Sequence, residues 1–242
     1  MALTLPRVIG HRGVPHAAPE NTLAGFACAA AMGVRWVELD VQLSRDLRPV
    51  VFHDDRLERT SNGVGRLLEK DFDALCRLDV GAWFSPEFAG EKLPSWCAVL
   101  DLLIDLGLGV NIEIKASDDR AEITAEKALA EALSRWPNDR SPPLVTSFSR
   151  LAVAAAHRLA PHWPRGWVTD SWDADWREVC GTLACDSLHV QVTELSETRV
   201  AAAKRSGLAV LGYVVDDPEV AHQLWGWGVD SVFSDRPERL LA

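Results

Sequence analysis

The sequence predicts an α/β fold, a (β/α)8 or TIM barrel. Short apolar runs rich in β-branched residues alternate with amphipathic helical patterns through most of the 242 residues. Such alternation is typical of parallel strands joined by crossover helices, and a single barrel of this length is ordinary. A doubly wound open sheet is the alternative, but that fold usually has fewer strands, and no glycine-rich phosphate turn is present here.

Strands are predicted wherever a short apolar, β-branched run is bounded by turn residues. The first is RVIG and the last is VDSVF. The predicted strands cover residues 7–10, 35–43, 49–52, 109–116, 144–148, 167–170, 187–191, 208–215 and 229–233.

Helices are predicted between these strands from apolar residues that recur at helical spacing. The first spans 22–32, with Asn21 as its expected N-cap and Gly33 following its end. Asp217 and Pro218 predict the start of another helix, because aspartate caps helices and proline fits their first position. The remaining predicted helices cover 95–106, 120–136, 150–159, 172–180, 197–206 and 218–227, with a short helix at the end of the chain.

Residues 54–94 interrupt the alternation. This interval is rich in turn residues and too long for a simple connection between two elements. We interpret it as an insertion on the face of the barrel that carries the active site, with a short helix near 68–78. The expected organisation is a single domain over 1–242 that contains this insertion.

Composition limits the expected partners and location. Lys and Arg number 25 against 35 Asp and Glu, a net charge of -10 that disfavours nucleic acid. The five cysteines show no metal-binding spacing, and we expect reduced thiols. Neither a signal peptide nor a membrane span is recognisable, so we expect a soluble, cytoplasmic protein without stable membrane association. The sequence leaves the oligomeric state open.

Three acidic residues on two predicted strands form a candidate metal site. Glu38 and Asp40 stand two positions apart, so both project from one face of their strand. A single such pair often faces water, but both faces of a parallel barrel strand are covered, and two buried like charges need a cation. Glu113 repeats the pattern, together with Lys115. Three carboxylates without a Cys or His cluster fit a hard divalent cation such as Mg²⁺ or Ca²⁺.

Two histidines directly follow predicted strands. A lone strand-end histidine is more often structural, but His11 and His53 together supply the two groups that acid–base cleavage of a phosphodiester requires. Arg12 and Lys115 add positive charge for a phosphate, and Gly13 allows a turn. His189, inside a predicted strand, is a further histidine that can face the pocket.

These residues lie in a series of motifs that resembles the glycerophosphodiester phosphodiesterase family, of the bacterial cytoplasmic type. The combination of HRG, five residues and PENT with E-x-D, HD and E-x-K is far more demanding than any one motif. The motifs follow the order of the family and cover nearly the whole chain: HRG (11–13), PENT (19–22), ELD (38–40), HDDRLERTSNGVG (53–65), EIK (113–115), SF (147–148), YVVDD (213–217) and SDRP (234–237).

The resemblance implies a (β/α)8 barrel with a small insertion after the second strand, and it assigns roles to the residues. His11 and His53 would act as general acid and base, and Arg12 and Lys115 would contact phosphate. The divalent cation would be held by Glu38, Asp40 and Glu113. Glu20 and Asn21 would help to hold the loop after the first strand, and Asp55 would not be catalytic.

The implied reaction is hydrolysis of a small-molecule glycerophosphodiester to sn-glycerol 3-phosphate and an alcohol. The substrate's own 2-hydroxyl would attack the phosphorus, and water would open the resulting cyclic phosphate. This agrees with the absence of a recognisable Ser or Cys nucleophile. Phe148 and Tyr213, or Trp83 and Phe84 of the insertion, are expected either to pack against the glycerol or to serve in the core.

Mild departures from the family pattern and two alternative functions remain. Ser61 replaces a common threonine, and Tyr213 stands where tryptophan is frequent. A lysophospholipase D-like activity on lysolipids would need an apolar surface at the mouth of the barrel, for which the insertion offers Trp83, Phe84 and Phe88. A phosphodiester-binding protein without turnover is the other alternative, although all the candidate acid–base and metal residues are present.

Overall fold

The computed structural model describes residues 3–172 and 175–241 and confirms the predicted barrel. All strand pairs of the ring are parallel, and the first strand closes it by pairing with both the last strand and the second. Within the described part, the strands are β1 (Val8–Gly10), β2 (Trp36–Leu43), β3 (Pro49–Val51), β4 (Gly109–Ile114), β5 (Leu144–Ser147), β6 (Arg165–Thr169), β7 (Ser187–Gln191), β8 (Ala209–Tyr213) and β9 (Ser231–Ser234). Eight of these, all except β3, form the barrel.

Helices surround the ring. They are α1 (Leu23–Ala31), α2 (Phe72–Leu75), α3 (Trp96–Asp105), α4 (Asp118–Arg135), α5 (Arg150–Leu159), α6 (Trp176–Thr182), α7 (Glu197–Arg205) and α8 (Pro218–Trp227). The main core lies between strands and helices, where Leu39, Ile112 and Leu100 are fully buried. Each large side chain removed from water in this way stabilises the fold by about 1.5–3 kcal/mol.

The run predicted as a strand at 49–52 is β3, but it does not belong to the barrel. It pairs antiparallel with β2, with Val41 opposite Val51. A tight turn makes this hairpin: Leu47 N donates to the Ser44 carbonyl, and Ser44 N donates to the Arg48 carbonyl. The excursion between the second and third barrel strands therefore begins with this hairpin, before residue 54.

Residues 54–94 form a compact layer of short elements. The single helix predicted near 68–78 is instead a 3-10 turn, Leu67–Glu69, followed by α2, because Lys70 and Asp71 between them are extended. A second 3-10 turn spans Pro86–Phe88. A separate small apolar core joins this layer to β3 and the residue after it; it consists of Val50, Phe52, Leu57, Leu67, Leu75, Val80 and Leu93.

Other helix ends differ from the sequence-based expectation by a few residues. Thr22, and not Asn21, caps α1, because the Thr22 hydroxyl accepts from Gly25 N at 2.9 Å. Asn21 has a φ of 56° and is part of the preceding turn. Helix α6 begins at Trp176 instead of 172, and positions 173–174 of that prediction lie outside the described residues. The expected terminal helix is a 3-10 turn, Pro237–Arg239.

The cysteines and the helices of the described chain bear on two further expectations, reduced thiols and the absence of a membrane span. All five cysteines are free thiols, and no disulfide is formed among them. None of the helices in the described ranges combines the length and apolarity needed to cross a membrane.

Candidate active site

The barrel brings the three predicted metal-ligating carboxylates together. Asp40 on β2 lies directly opposite Glu113 on β4, and Glu38 lies one pleat earlier. Because alternate residues of a strand share a face, all three side chains meet at the same place. One carboxylate oxygen of each lies within 4.8 Å of the others. The sheet register, which no single strand specifies, thus creates this cluster.

Burial and mutual repulsion change the pKa values of the three clustered carboxylates. The pKa of Glu38 is raised well above its usual range by burial and by repulsion from Asp40 and Glu113. Burial and the Asp40 charge raise the pKa of Glu113 to about 7. Its buried Oε1 atom makes no hydrogen bond. Burial also acts to raise the pKa of Asp40, but Arg12 and Lys115 outweigh this effect and lower it. Buried carboxylate oxygens that repel one another in this way are suitable ligands for a hard cation.

Arg12 and Lys115 supply the positive charge that the carboxylates face. The Arg12 backbone N donates to Glu38 Oε2 at 3.0 Å, and its guanidinium Nε lies 3.5 Å from Asp40 Oδ2. Lys115 Nζ lies 3.7 Å from Asp40 Oδ1 and 3.4 Å from Glu113 Oε1. Arg12 and Lys115 therefore both border the carboxylate cluster. A phosphate bound to a metal ion in that cluster could reach both side chains.

The turn after β1 explains the glycine that follows Arg12. Gly13 has a φ of 93°, a conformation that favours glycine. A Cβ atom at this position would lie only 3.1 Å from the backbone of Gly25 on α1. The predicted turn is therefore present, and close packing against the first helix also favours glycine.

His11 and His53 are both oriented by carboxylates. His11 Nδ1 donates to Asp235 Oδ1 at 2.6 Å, and His53 Nδ1 donates to Asp54 Oδ1 at 2.5 Å. Their other ring nitrogens face the charged cluster: His11 Nε2 lies 3.9 Å from Glu38 Oε2, and His53 Nε2 lies 3.1 Å from Lys115 Nζ. Burial lowers the pKa of His53, and the nearby positive charges of Arg12 and Lys115 lower it further. The negative charge of Asp40 acts to raise this pKa but does not outweigh them.

Glu20 and Asn21 hold the loop after β1, in agreement with the role that the family resemblance implies. Asn21 Nδ2 donates to Asp40 Oδ2 at 2.8 Å, and its backbone N donates to the Arg12 carbonyl. Glu20 accepts from Arg12 Nη1 at 3.0 Å and from both terminal nitrogens of Arg59. Arg59 also binds Asp54, the partner of His53, and so links the insertion to both histidine loops.

Three supporting residues were not predicted. Asp235 and Arg59 stand within family motifs, which was a signal that they matter, but nothing in those motifs indicated their partners. Gln42 had no such signal. Its Nε2 donates to the carbonyl oxygens of Phe52, His53 and Asp54, at 2.8, 2.9 and 3.0 Å, and so fixes the chain around His53.

The histidines, Arg12 and Lys115 line a cavity of about 220 Å³ at the end of the barrel, here called the central cavity. Phe148 and Tyr213 form part of its wall, with ring centroids 6.3 Å apart in an edge-to-face arrangement. His189 is also in the lining, fully buried against Ser187. Trp83 and Phe84 do not line this cavity but stack edge-to-face on each other in the insertion.

Comparisons with known proteins agree on one family. The sequence model of the Glycerophosphoryl diester phosphodiesterase family matches residues 11–239. A glycerophosphodiester phosphodiesterase of Caldanaerobacter subterraneus is 32% identical over 234 residues, which cover 97% of this chain and 96% of that protein.

Solved structures give the same result. A phosphodiesterase of Oleispira antarctica, in complex with the product sn-glycerol-3-phosphate, matches with a TM-score of 0.95 and 35% identity over 98% of this chain and 96% of that one. A glycerophosphodiester phosphodiesterase of Agrobacterium tumefaciens matches with a TM-score of 0.77 and 27% identity over 98% and 99% of the two chains.

Proposed function

Because the chain belongs to the glycerophosphoryl diester phosphodiesterase family, and is thus an enzyme that hydrolyses phosphoric diesters, we propose that it cleaves glycerophosphodiesters by acid–base catalysis. The products would be sn-glycerol 3-phosphate and a free alcohol. The structure that is 35% identical to this chain contains that same phosphate product. Its likeness over 98% of this chain supports a small-molecule substrate of the same kind.

The orientation of the two histidines is the observation that carries this proposal. Both Nδ1 atoms are held by carboxylates, so both Nε2 atoms are directed toward the cluster of Arg12, Lys115 and the three acidic residues. One imidazole can then take a proton while the other gives one, on opposite sides of a phosphate. A binding protein without turnover has no need for two imidazoles oriented in this way.

The proposed first step uses the 2-hydroxyl of the glycerol as nucleophile. One of the two histidines takes the hydroxyl proton as the oxygen bonds to phosphorus, and the other protonates the oxygen of the departing alcohol. The cyclic phosphate that results is opened by water with the two roles reversed. Arg12 and Lys115 stabilise the charge that accumulates on the phosphate oxygens.

A divalent cation, either Mg²⁺ or Ca²⁺, completes the proposed site. Its ligands would be Glu38, Asp40 and Glu113, whose buried oxygens lie within 4.8 Å of one another and include the unbonded Glu113 Oε1. When bound, such a cation polarises phosphate oxygens and offsets the repulsion among the carboxylates. The donor set, oxygen throughout, fits either ion.

The glycerol is proposed to lie against Phe148 and Tyr213. Both rings line the central cavity, and the centre of the Phe148 ring also lies 5.9 Å from Lys115 Nζ. The Tyr213 hydroxyl donates to the Thr169 carbonyl at 2.8 Å and lies 3.0 Å from Asp170 Oδ1, so its ring is held in place. An apolar wall of fixed position would favour the carbon face of a glycerol over a bulkier group.

Other expectations from the sequence stay proposals. The chain is proposed to act as one barrel domain over 1–242 with 54–94 as an insertion, in the cytoplasm, and without stable membrane association. Cell fractionation with an antibody to the protein would check the location.

The experiment that tests the function is a product assay on the whole chain. Glycerophosphoethanolamine with Mg²⁺ or Ca²⁺ should yield glycerol 3-phosphate and ethanolamine, and EDTA should stop the reaction. A lysolipid with the same headgroup should react much more slowly. Binding of the diester without product over long incubation would contradict the proposal, and faster cleavage of the lysolipid would favour a lysophospholipase D-like function.

A further inference from the structure

A second cavity opens beside the central cavity. It has a volume of about 330 Å³ and is here called the side cavity. It shares Glu113, Lys115 and Phe148 with the central cavity, so the two meet at the phosphate-binding side chains. The rest of its lining comes from the insertion, from the loops after β4 and β5, from the start of α4, and from single residues of β2, β4 and β5. A diester whose phosphate lies at Lys115 can therefore extend into both cavities.

We propose that the side cavity holds the departing alcohol and favours alcohols that carry an anionic group. This inference rests on the proposed function, because it assigns the two halves of a glycerophosphodiester. The central cavity contains both histidines and the aromatic wall, and it is the smaller of the two, which suits the glycerol phosphate. The side cavity is then the remaining space for the second ester group.

The charges around the side cavity support an anionic group. Arg66 and Arg120 line it in addition to Lys115. The Arg66 side chain forms no ion pair with the described residues, and Arg120 makes one hydrogen bond of 3.3 Å, to the Ser44 carbonyl. Guanidinium groups that have donors without a partner among the described residues are suited to a carboxylate or phosphate.

The acidic side chains of the cavity do not cancel this charge. Glu113 is assigned to the cation, which leaves Asp55 as the one other acidic side chain among the lining residues. The cavity also receives the start of two helices, since Ser117 and Ser149 precede α4 and α5 and both are part of the lining. The positive ends of two helix dipoles add to the attraction for an anion.

A quaternary ammonium group has less to bind here. Such groups are recognised by several aromatic faces together. Phe148 is the one aromatic residue of the side-cavity lining, and Lys115 already lies 5.9 Å from the centre of its ring. Choline would therefore meet two arginines and a single ring that already faces a cation.

The test compares two diesters that differ by one carboxylate, glycerophosphoserine and glycerophosphoethanolamine. The wild-type chain should show a kcat/KM at least about tenfold higher for the serine diester, because charge-assisted hydrogen bonds discriminate by this much or more. Glycerophosphocholine should be no better than the ethanolamine diester. In the variant carrying Arg66→Gln and Arg120→Gln, kcat/KM for the serine diester should fall toward that for the ethanolamine diester, so that most of the preference for serine is lost.

The control is Arg56→Gln, an exposed arginine of the insertion that pairs with Glu58 and does not line the side cavity. It should keep the wild-type preference. If all three diesters react equally well, or if the double variant retains the preference, the inference is wrong while the proposed function stands. If none of the diesters reacts, the proposed function fails and the inference fails with it.

Discussion

The side chain of Asp235 lies 2.6 Å from His11 Nδ1, although the two residues are 224 positions apart. Asp235 follows the last barrel strand and His11 follows the first, and these strands are neighbours because the barrel closes. Asp216 fixes the loop, since its Oδ1 accepts hydrogen bonds from the backbone N of Asp235 and of Arg236. Asp235 is therefore a positioning residue that keeps the His11 proton on Nδ1 and directs Nε2 into the cavity.

The first prediction concerns Asp235→Asn. The amide can still accept from Nδ1, but it cannot stabilise a protonated imidazole. We expect kcat to fall by roughly 10²-fold while KM changes little. This loss is a part of the rate enhancement that general acid–base catalysis supplies. Because Asp235 acts through the ring, the pH dependence of kcat should also shift. Steady-state kinetics across pH would measure both effects.

Asp139→Asn is the matched control for this variant, because Asp139 is exposed and lies in the connection from α4 to the start of β5, away from the strand ends that His11 and Asp235 follow. It should match the wild type in kcat and in pH profile. If Asp235→Asn lowers kcat without moving the pH profile, or only raises KM, Asp235 does not orient a catalytic histidine.

The second prediction concerns the histidines themselves. His11→Ala and His53→Ala should each lower kcat by about 10²- to 10⁴-fold, the usual contribution of a general acid or base. His157→Ala, on the exposed face of α5, should leave kcat unchanged. Circular dichroism should confirm that all three variants are folded. Near-normal turnover by either active-site variant would exclude that histidine as acid or base.

The third prediction concerns cation binding and stability. Mg²⁺ or Ca²⁺ at 100 times its Kd should raise the free energy of unfolding by about 2.7 kcal/mol, because it binds only the folded cluster. Glu38→Gln should abolish most of this increase. Without the cation, the same variant should be as stable as the wild type or more stable, since it removes one of three buried, mutually repelling carboxylates. Thermal unfolding with and without cation would measure this.

Glu87→Gln, an exposed substitution on the insertion, serves as the control and should retain the full cation effect. An undiminished increase in stability for Glu38→Gln would show that the cation binds elsewhere.

The fourth prediction concerns pH and His189. Burial lowers its pKa to about 3, from an ordinary value near 6.5. Below pH 6.5 the unfolded chain therefore binds a proton that the folded chain does not. The resulting contribution to stability is present in full above pH 6.5 and is lost as the pH falls toward 3. At pH 5 the loss from this residue alone should be about 2 kcal/mol.

Chemical denaturation at pH 7.5 and at pH 5 would measure this effect. His189→Gln keeps a polar side chain near Ser187 but cannot titrate in this range, so the difference between the two pH values should shrink by about 2 kcal/mol. His157→Gln, at an exposed position, should leave the difference unchanged. An equal pH dependence in wild type and His189→Gln would mean that His189 accepts a proton in the folded state.

Much of the fold follows from local patterns. The alternation of strand and helix predicted the barrel, and helix α8 was predicted with both ends correct, because its Asp217 cap and its first-turn Pro218 are local signals. The run 49–52 was correctly predicted as a strand, but its partner and direction were not predicted. Pairing depends on a turn at residues 44–48 and on β2, and a short apolar run looks the same in either direction.

The candidate site divides in the same way. Seven site residues were recognisable because each stands on or directly after a predicted strand and within a demanding motif: His11, Arg12, Glu38, Asp40, His53, Glu113 and Lys115. Gln42 was not recognisable from the sequence. A glutamine on a strand indicates no function by itself, and its role became visible only from its hydrogen bonds to the three carbonyl groups around His53. Arg59 stands within a family motif, but the motif did not indicate its partners, because Glu20 and Asp54 come from different loops.

The sequence by itself determined which groups are available: three carboxylates, two histidines and two cations, each on or directly after a predicted strand. Only the tertiary structure decided how they act on one another. The register between β2 and β4 sets Asp40 against Glu113, and closure of the ring sets Asp235 against His11. Such distances, and the pKa values that burial and charge impose on these groups, depend on contacts between residues far apart in the chain, and local sequence does not encode them.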